Sequence, residues 1–129
     1  MKLSKFERML KIAKIYPEQE VCGLIAHLKM DRDKEEFLIP IQNVHPNPKH
    51  NFAMKYDDQN RVLFDKRLVV TGMYHSHNHG DGKPSEADLM AWPLWPEARS
   101  WGYFIILNGR EIWEWKMQSG GETIGRRVS

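Results

Sequence analysis

Residues 68–77 read LVVTGMYHSH. A run so rich in β-branched and aromatic residues predicts a central β-strand. Alternate side chains of a strand point to the same face, so His75 and His77 are expected to project side by side. A loop over residues 78–84 then leads to Ser85-Glu86-Ala87-Asp88, which has the form of a capped helix start.

The two histidines and the aspartate suit a metal ion. Two imidazoles on one strand face can bind one ion at about 2.0–2.1 Å. The loop is long enough to fold back, so that Asp88 supplies a third, oxygen ligand. Such a set leaves the fourth tetrahedral position to water, which is typical of catalytic zinc, although iron and cobalt also accept these ligands. A His-x-His pair alone is a weak signal, and Ser85-x-x-Asp88 also fits a simple helix cap; a capped end would still hold Asp88 in place.

The segments before this stretch predict a helix and two strands. Ser4 and Glu7 have the spacing of a capping box, and Pro17 ends the helix that follows. The apolar run Val21–Leu28 is expected to form a buried strand. After a polar turn at residues 31–34, residues 35–41 form the return strand, with Pro40 near an edge or bulge.

The remaining segments predict short elements and a hairpin. Asn-Gly at 108–109 lies between two strand-like runs, 102–107 and 110–116, and is a strong hairpin signal. The other expectations are a loop at 43–51, a short strand at 52–54, a helix capped by Asp57 or Asp58 that runs towards Lys66 with Val62, Leu63 and Phe64 facing the core, a short helix at 85–92, and a loose tail after Gln118.

The bulk composition excludes several classes of protein. The chain has 129 residues, enough for one domain, with 41% hydrophobic and 28% charged residues. A net charge of only +2 gives no support for binding nucleic acid or a membrane surface. The single cysteine, Cys22, excludes an internal disulfide and any multi-cysteine metal site. We find no signal peptide or membrane span, and expect a cytoplasmic protein.

These motifs resemble a known family. His75-Ser76-His77 followed by Ser85-x-x-Asp88 resembles the JAMM motif of the MPN+ (JAB/MPN) zinc metalloproteases. Pro17-x-x-Glu20-x-Cys22-Gly23-Leu24 is similar to the family's glutamate element, and residues 43–48 with Phe52 are similar to the loop and strand between the two motifs. The likeness covers nearly the whole chain and is greatest for the small freestanding prokaryotic JAB-type branch. Asn78 departs from the family, which commonly has proline there.

The resemblance implies a fold and a set of site residues. The expected fold is α/β of the α+β type, a single MPN/JAB-like (cytidine-deaminase-like) domain at 1–118 with a central mixed sheet and flanking helices; residues 119–129 would be a flexible tail. One zinc ion with a bound water would be held by His75, His77 and Asp88. Glu20 would act as general base and then general acid, and Ser85 would support the oxyanion.

Other candidate residues carry less weight. Cys22 lies in an apolar run where burial makes a thiol inert, so we exclude it as a nucleophile. His79 is conceivable as a third imidazole ligand, and more plausible as a loop residue near the substrate. Trp113 and Trp115 share one strand face, and either pack against the sheet or line a partner surface.

The implied function is hydrolysis of an amide or isopeptide bond at the C-terminal Gly-Gly of a ubiquitin-like or sulfur-carrier protein. An alternative is a phage tail-assembly protein, because such proteins share the sequence Pro-Ser-Glu-Ala-Asp found at residues 84–88. A second alternative is a non-catalytic MPN-type scaffold, although a scaffold has no need of the ligands and the glutamate. The sequence does not specify the oligomeric state.

Overall fold

The computed structural model describes residues 4–78, 80–86, 88, 100–118 and 122–129. Its helices and strands follow the chain order α1 (Lys5–Ile15), β1 (Cys22–Leu28), β2 (Phe37–Ile41), α2 (Tyr56–Leu63), β3 (Leu68–His77), β4 (Gly102–Leu107), β5 (Glu111–Met117) and β6 (Thr123–Arg127). The strands form one mixed sheet, and the helices pack beside it. The predicted α+β fold class is confirmed.

The sheet has the strand order β2-β1-β3-β4-β5-β6. Every neighbouring pair is antiparallel except β3 and β4, which are parallel. A parallel pair needs a crossover, and here residues 78–101 supply it. The crossover leaves the carboxyl end of β3 immediately after His77, so the segment that carries Asp88 begins beside the two histidines.

Several predicted elements are confirmed. The Ser4 hydroxyl accepts a hydrogen bond from the backbone N–H of Glu7, and α1 ends before Pro17. Pro40 lies on β2, an edge strand, where its missing N–H breaks no ladder between two neighbours. Asn108 and Gly109 have positive φ angles of 53° and 67°, which a type I′ turn requires, and they join β4 to β5.

Residues 52–54 do not form the predicted strand. Only an isolated bridge joins Asn43 to Met54. The physical reason is that the Asn43 side chain accepts the backbone N–H of Ala53, a group that a ladder would otherwise use.

The helix predicted near Asp57 also differs in detail. It begins at Tyr56 after Lys55, which makes no side-chain cap, and both aspartates lie in its first turn, where negative charge is favourable. It ends at Leu63, and Phe64 is 79% exposed rather than part of the core.

The tail after Gln118 is not loose where the structure describes it. Residues Thr123–Arg127 form β6, which pairs with β5 in antiparallel fashion. The polar, glycine-containing sequence gave no signal of a strand. An edge strand pairs with one neighbour only, and its side chains can remain polar. The outer edge of β5 offers unpaired backbone groups, and Arg126 adds an ion pair with Glu114 across the two strands. The predicted domain limits of 1–118 stay a prediction.

The predicted helix at 85–92 falls mostly outside the described residues; Ser85, Glu86 and Asp88 are described, and the last two have helical backbone. No helix within the described ranges is long and apolar enough to cross a membrane.

The two faces of the sheet carry separate hydrophobic clusters. Tyr74 belongs to the cluster packed against α1, while Met73 belongs to the cluster on the opposite face, with Met54 and partly buried residues of α2. The alternation along β3 therefore places His75 and His77 on the face of Met73, and Ser76 on the face of Tyr74.

Gly23 is required by the packing of β1. A Cβ at this position would lie 2.5 Å from the carbonyl oxygen of Ile39 and 2.5 Å from the hydroxyl oxygen of Tyr74. Because Tyr74 lies opposite Gly23 and is fully buried, its ring has no free space to move into.

We expect Gly23→Ala to lower the free energy of unfolding by about 2–3 kcal/mol, the usual cost of forcing extra volume into a packed core. Urea unfolding followed by circular dichroism measures the change. A variant within about 0.5 kcal/mol of the wild type would show that the sheet relaxes around the added methyl group.

Candidate metal centre

His75 is held by rings on both sides. Its side chain is fully buried, and its imidazole stacks on Phe52 with the ring centroids 4.3 Å apart. Tyr103 on β4 meets the same ring edge-on at 5.3 Å. The Nδ1 atom of His75 is buried and has no hydrogen-bond partner in the described part of the chain. The polar contacts of His75 are therefore concentrated at Nε2.

His77 is oriented by the loop that follows it. Its Nδ1 lies 2.9 Å from the carbonyl oxygen of Asp81. A carbonyl can only accept, so Nδ1 must carry the proton, and the neutral ring then has a free lone pair at Nε2. That lone pair faces the Nε2 of His75, 2.8 Å away.

Asp88 completes a triangle with the two histidines. Its Oδ2 lies 3.3 Å from Nε2 of His75 and 3.4 Å from Nε2 of His77. A reciprocal cap holds Asp88 in place: the N–H of Ser85 donates to Oδ2 of Asp88, and the N–H of Asp88 donates to the Ser85 hydroxyl. The helix cap and the side-chain cluster, which the sequence left as alternatives, therefore occur together.

The separations within this triangle suit a bound cation. Ligands about 2.0–2.2 Å from a tetrahedral zinc ion lie about 3.3–3.5 Å from one another. Both Asp88 distances fall in this range. The two Nε2 atoms of His75 and His77 lie closer together than this, and one cation between them would accept both lone pairs. The donor set of two imidazoles and a carboxylate matches catalytic zinc chemistry.

Glu20 lies beside this cluster. A carboxylate oxygen of Glu20 and one ring nitrogen each of His75 and His77 all lie within 4.8 Å of one another, so these three residues could hold a metal ion. Glu20 is buried, with only 6% of its surface exposed.

Ser76, between the two histidines, positions Glu20. Its hydroxyl accepts the N–H of Val21 at 2.8 Å, and its own N–H donates to the Val21 carbonyl at 2.9 Å. Nothing in the sequence indicated this role beyond the alternation of β3, which places Ser76 on the face opposite the histidines.

Burial and charge shift the pKa values of the site in opposite directions. Burial raises the pKa of Glu20 to about 7, even though His77 nearby lowers it. Burial also raises the pKa of Asp88, but its contacts with the imidazoles of His75 and His77 outweigh that effect, and the pKa falls far below its usual value. Burial lowers the pKa of His75 despite its contact with Asp88, which keeps the ring neutral and its lone pair available.

Asn43 is a second positioning residue that the sequence analysis missed. Its amide nitrogen donates to the carbonyl oxygens of Glu20 at 2.8 Å and Asn51 at 3.0 Å. Its amide oxygen accepts the backbone N–H groups of His45 and Ala53. One side chain thus joins the Glu20 segment to the loop that carries Phe52, and an asparagine in a Pro-rich loop gave no signal beyond a turn.

The structure describes two of the three remaining candidate residues, Ser85 and Cys22. Ser85 is exposed next to the cluster, where its hydroxyl accepts the Asp88 N–H. Burial raises the pKa of the Cys22 thiol to about 12, so it is inert as expected. His79 lies outside the described residues, and its role stays a prediction.

A family model matches this architecture. The model for prokaryotic homologs of the JAB domain aligns with residues 3–118. The chain belongs to the prokaryotic JAB-domain family. The resemblance stated from the motifs is thereby confirmed, including the segment from the first helix through β5. A search of curated proteins found no match to the chain.

Solved structures show the same fold. The JAB domain is similar to a protein from Desulfitobacterium hafniense solved in solution, with 25% identity, a TM-score of 0.68, and coverage of 95% of this chain and 85% of that one. It is also similar to a JAB1/MPN domain protein from Archaeoglobus fulgidus, with 20% identity, a TM-score of 0.59, and coverage of 96% and 94%. A Salinibacter ruber protein matches at 19% identity and a TM-score of 0.57, covering 98% and 89%.

Glu20 should make the metal-free JAB domain less stable at alkaline pH. Its folded-state pKa of about 7 exceeds the ordinary 4.5, so the folded state binds the proton more tightly. Stability is therefore lost as the pH rises from about 4.5 to about 7. With a chelator present, we expect Glu20→Gln to raise the free energy of unfolding at pH 8 by about 2 kcal/mol and to leave it unchanged at pH 4.

Urea unfolding at both pH values measures this difference. Glu18→Gln is the matched control, because Glu18 is exposed in the same segment, and its stability should follow the wild type at each pH. A Glu20→Gln variant less stable than the wild type at pH 8 would contradict the assigned burial of the carboxylate.

Removal of the Asn43 side chain should destabilise the JAB domain. Asn43→Ala deletes four hydrogen bonds, three of them partly buried, and leaves the Glu20 carbonyl without the Asn43 donor. We expect the free energy of unfolding to fall by about 2 kcal/mol, with faster hydrogen exchange at the Ala53 amide. Asn47→Ala, at an exposed position of the same loop, is the control. Equal exchange in both variants would argue against the role of Asn43.

Proposed function

We propose that this JAB domain is a zinc-dependent metallopeptidase that hydrolyses an amide or isopeptide bond at the C-terminal glycines of a ubiquitin-like or sulfur-carrier protein. The observation that carries the proposal is the triangle of donor atoms from His75, His77 and Asp88, with the buried carboxylate of Glu20 beside it. A scaffold would gain nothing from this arrangement, because buried charged groups reduce stability unless they are paired.

The two carboxylates have different proposed roles. Asp88 contacts both imidazoles at 3.3 and 3.4 Å and keeps its charge because its pKa is far below the usual range, as a ligand requires. Glu20 is within 4.8 Å of them and has a pKa of about 7, which suits a group that gains and loses a proton at neutral pH. A pair of acids with separated pKa values is a common sign of this division of labour.

The proposed mechanism needs one ion and the residues already described. His75, His77 and Asp88 would hold a zinc ion, which when bound supplies a Lewis acid and lowers the pKa of a water to about 7. Glu20, as general base and then general acid, would accept a proton from the attacking water and would deliver it to the leaving amine. The Ser85 hydroxyl accepts the N–H of Asp88, and its own O–H is available to donate to the oxyanion.

The substrate class rests on family resemblance. A ubiquitin-like tail that ends in two glycines is narrow, because glycine has no side chain. A phage tail-assembly protein remains the second candidate, because such proteins share the sequence Pro-Ser-Glu-Ala-Asp at residues 84–88.

The test is intact-mass analysis of a panel of Gly-Gly-extended ubiquitin-like and sulfur-carrier proteins after incubation with the zinc-loaded domain. We expect a cut after the glycines that is lost in Glu20→Gln and after chelation. Removal of a general base typically costs about 10²–10⁴ in rate. Glu18→Gln, exposed two residues away, should cut as the wild type does.

Two other results would contradict this proposal. If the domain binds zinc but leaves the whole panel intact, the phage-type substrate or assembly role gains support. If no zinc binds after refolding with the ion, the metallopeptidase assignment is wrong.

A further inference from the structure

Trp115 on β5 contacts the loop that follows His77. Its indole Nε1–H donates to the carbonyl oxygen of Gly82 at 2.7 Å. The two residues are far apart in sequence, and this hydrogen bond ties the middle of the crossover loop to the sheet. Gly82 is buried although it lies in a loop, which shows that the contact is packed as well as hydrogen-bonded.

The carbonyl groups of two consecutive residues are therefore held by two aromatic rings. Asp81 O accepts from Nδ1 of His77, and Gly82 O accepts from Nε1 of Trp115. The Asp81 carbonyl and the Cα of Gly82 lie in one rigid peptide plane, so holding Gly82 against the sheet fixes one end of the plane that carries the Asp81 carbonyl. The hydrogen bond to the Asp81 carbonyl sets which ring nitrogen of His77 carries the proton. The Trp115 hydrogen bond to the neighbouring Gly82 carbonyl therefore helps to fix the site of that proton.

Glycines make the close packing around Trp115 possible. A Cβ at Gly82 would lie 2.4 Å from the ring of Trp113, which stacks beside Trp115 at 6.5 Å. A Cβ at Gly125 would lie 2.5 Å from the ring of Trp115 itself. Gly125 pairs directly with Trp115 and belongs to β6, beyond residue 118 where the family match ends. The last strand thus backs the ring that holds the loop.

We propose that Trp115 is a positioning residue for His77, and that β6 supports it through Gly125. The Trp115 N–H fixes Gly82, the fixed loop presents Asp81 O to Nδ1 of His77, and the Nε2 lone pair of His77 is directed at His75 and Asp88. This inference rests on the proposed role of His77 as a metal ligand.

Trp115→Phe tests the inference, because it keeps an aromatic ring and deletes the N–H. Trp113→Phe is the matched control: it makes the same change on the same strand face, but the Trp113 N–H donates to the Glu111 carboxylate and not to the loop. Outer partners of metal ligands typically contribute about 10–100-fold to metal affinity. We expect the Kd for zinc, measured by chelator competition, to rise about tenfold in Trp115→Phe and less than about twofold in Trp113→Phe.

A second readout separates positioning from general loss of structure. Side-chain ¹⁵N NMR of the metal-free domain, recorded at alkaline pH, reports which nitrogen of His77 carries the proton. The wild type and Trp113→Phe should show the Nδ1–H form alone, and Trp115→Phe a mixture. If Trp115→Phe does not fold, replacement of Trp115 by 3-benzothienylalanine keeps the size of the ring and removes only the N–H.

The outcomes distinguish this inference from the proposed function. Equal zinc affinity in the two variants, with the Nδ1–H form retained in both, would overturn the role of Trp115. If the wild type binds no zinc, the metal role of His77 fails, while the NMR comparison still decides whether Trp115 orients the ring. If zinc binds as expected but no substrate is cut, the positioning role stands without the proposed reaction.

Discussion

The antiparallel pairing of β1 with β3 is the constraint on which the site depends. It places Cys22 opposite His75, and the two hydrogen bonds between Ser76 and Val21 continue the pairing one residue beyond β1. A slip of one residue would turn both histidines to the other face of the sheet and would move Glu20 away from them. The alternating hydrophobic clusters on the two faces prevent that slip, so the register that packs the core also assembles the site.

Local sequence was enough to predict β1 to β5 and the direction of the side chains at the end of β3. The alternation of side chains along His75-Ser76-His77 predicted that the two histidines share one face of the strand. The helix-cap pattern at residues 85–88 predicted that Asp88 is held in place. The position of Glu20 near them followed only from family resemblance, because nothing in its own segment indicates that it is buried.

Contacts between distant segments could not be predicted. Asn43 and Trp115 act through hydrogen bonds to backbone carbonyls, and such bonds leave no pattern in the sequence of either partner. β6 was missed for a related reason, since an edge strand is stabilised by the edge it joins and its own residues can be polar. Phe64 shows the opposite error: an apolar residue at the end of a predicted helix is exposed, because the helix ends one residue before it.

The one parallel strand pair has a consequence for the stability of the domain. Asp88 lies on the crossover between β3 and β4, so the three donor atoms meet only when the chain between His77 and Asp88 folds back. Closing that connection costs conformational entropy. An ion that binds all three residues would hold the connection closed and would stabilise the folded domain by the free energy of metal binding. The concentration of free metal in the cell would in this way set how stable the folded domain is, as well as whether it can react.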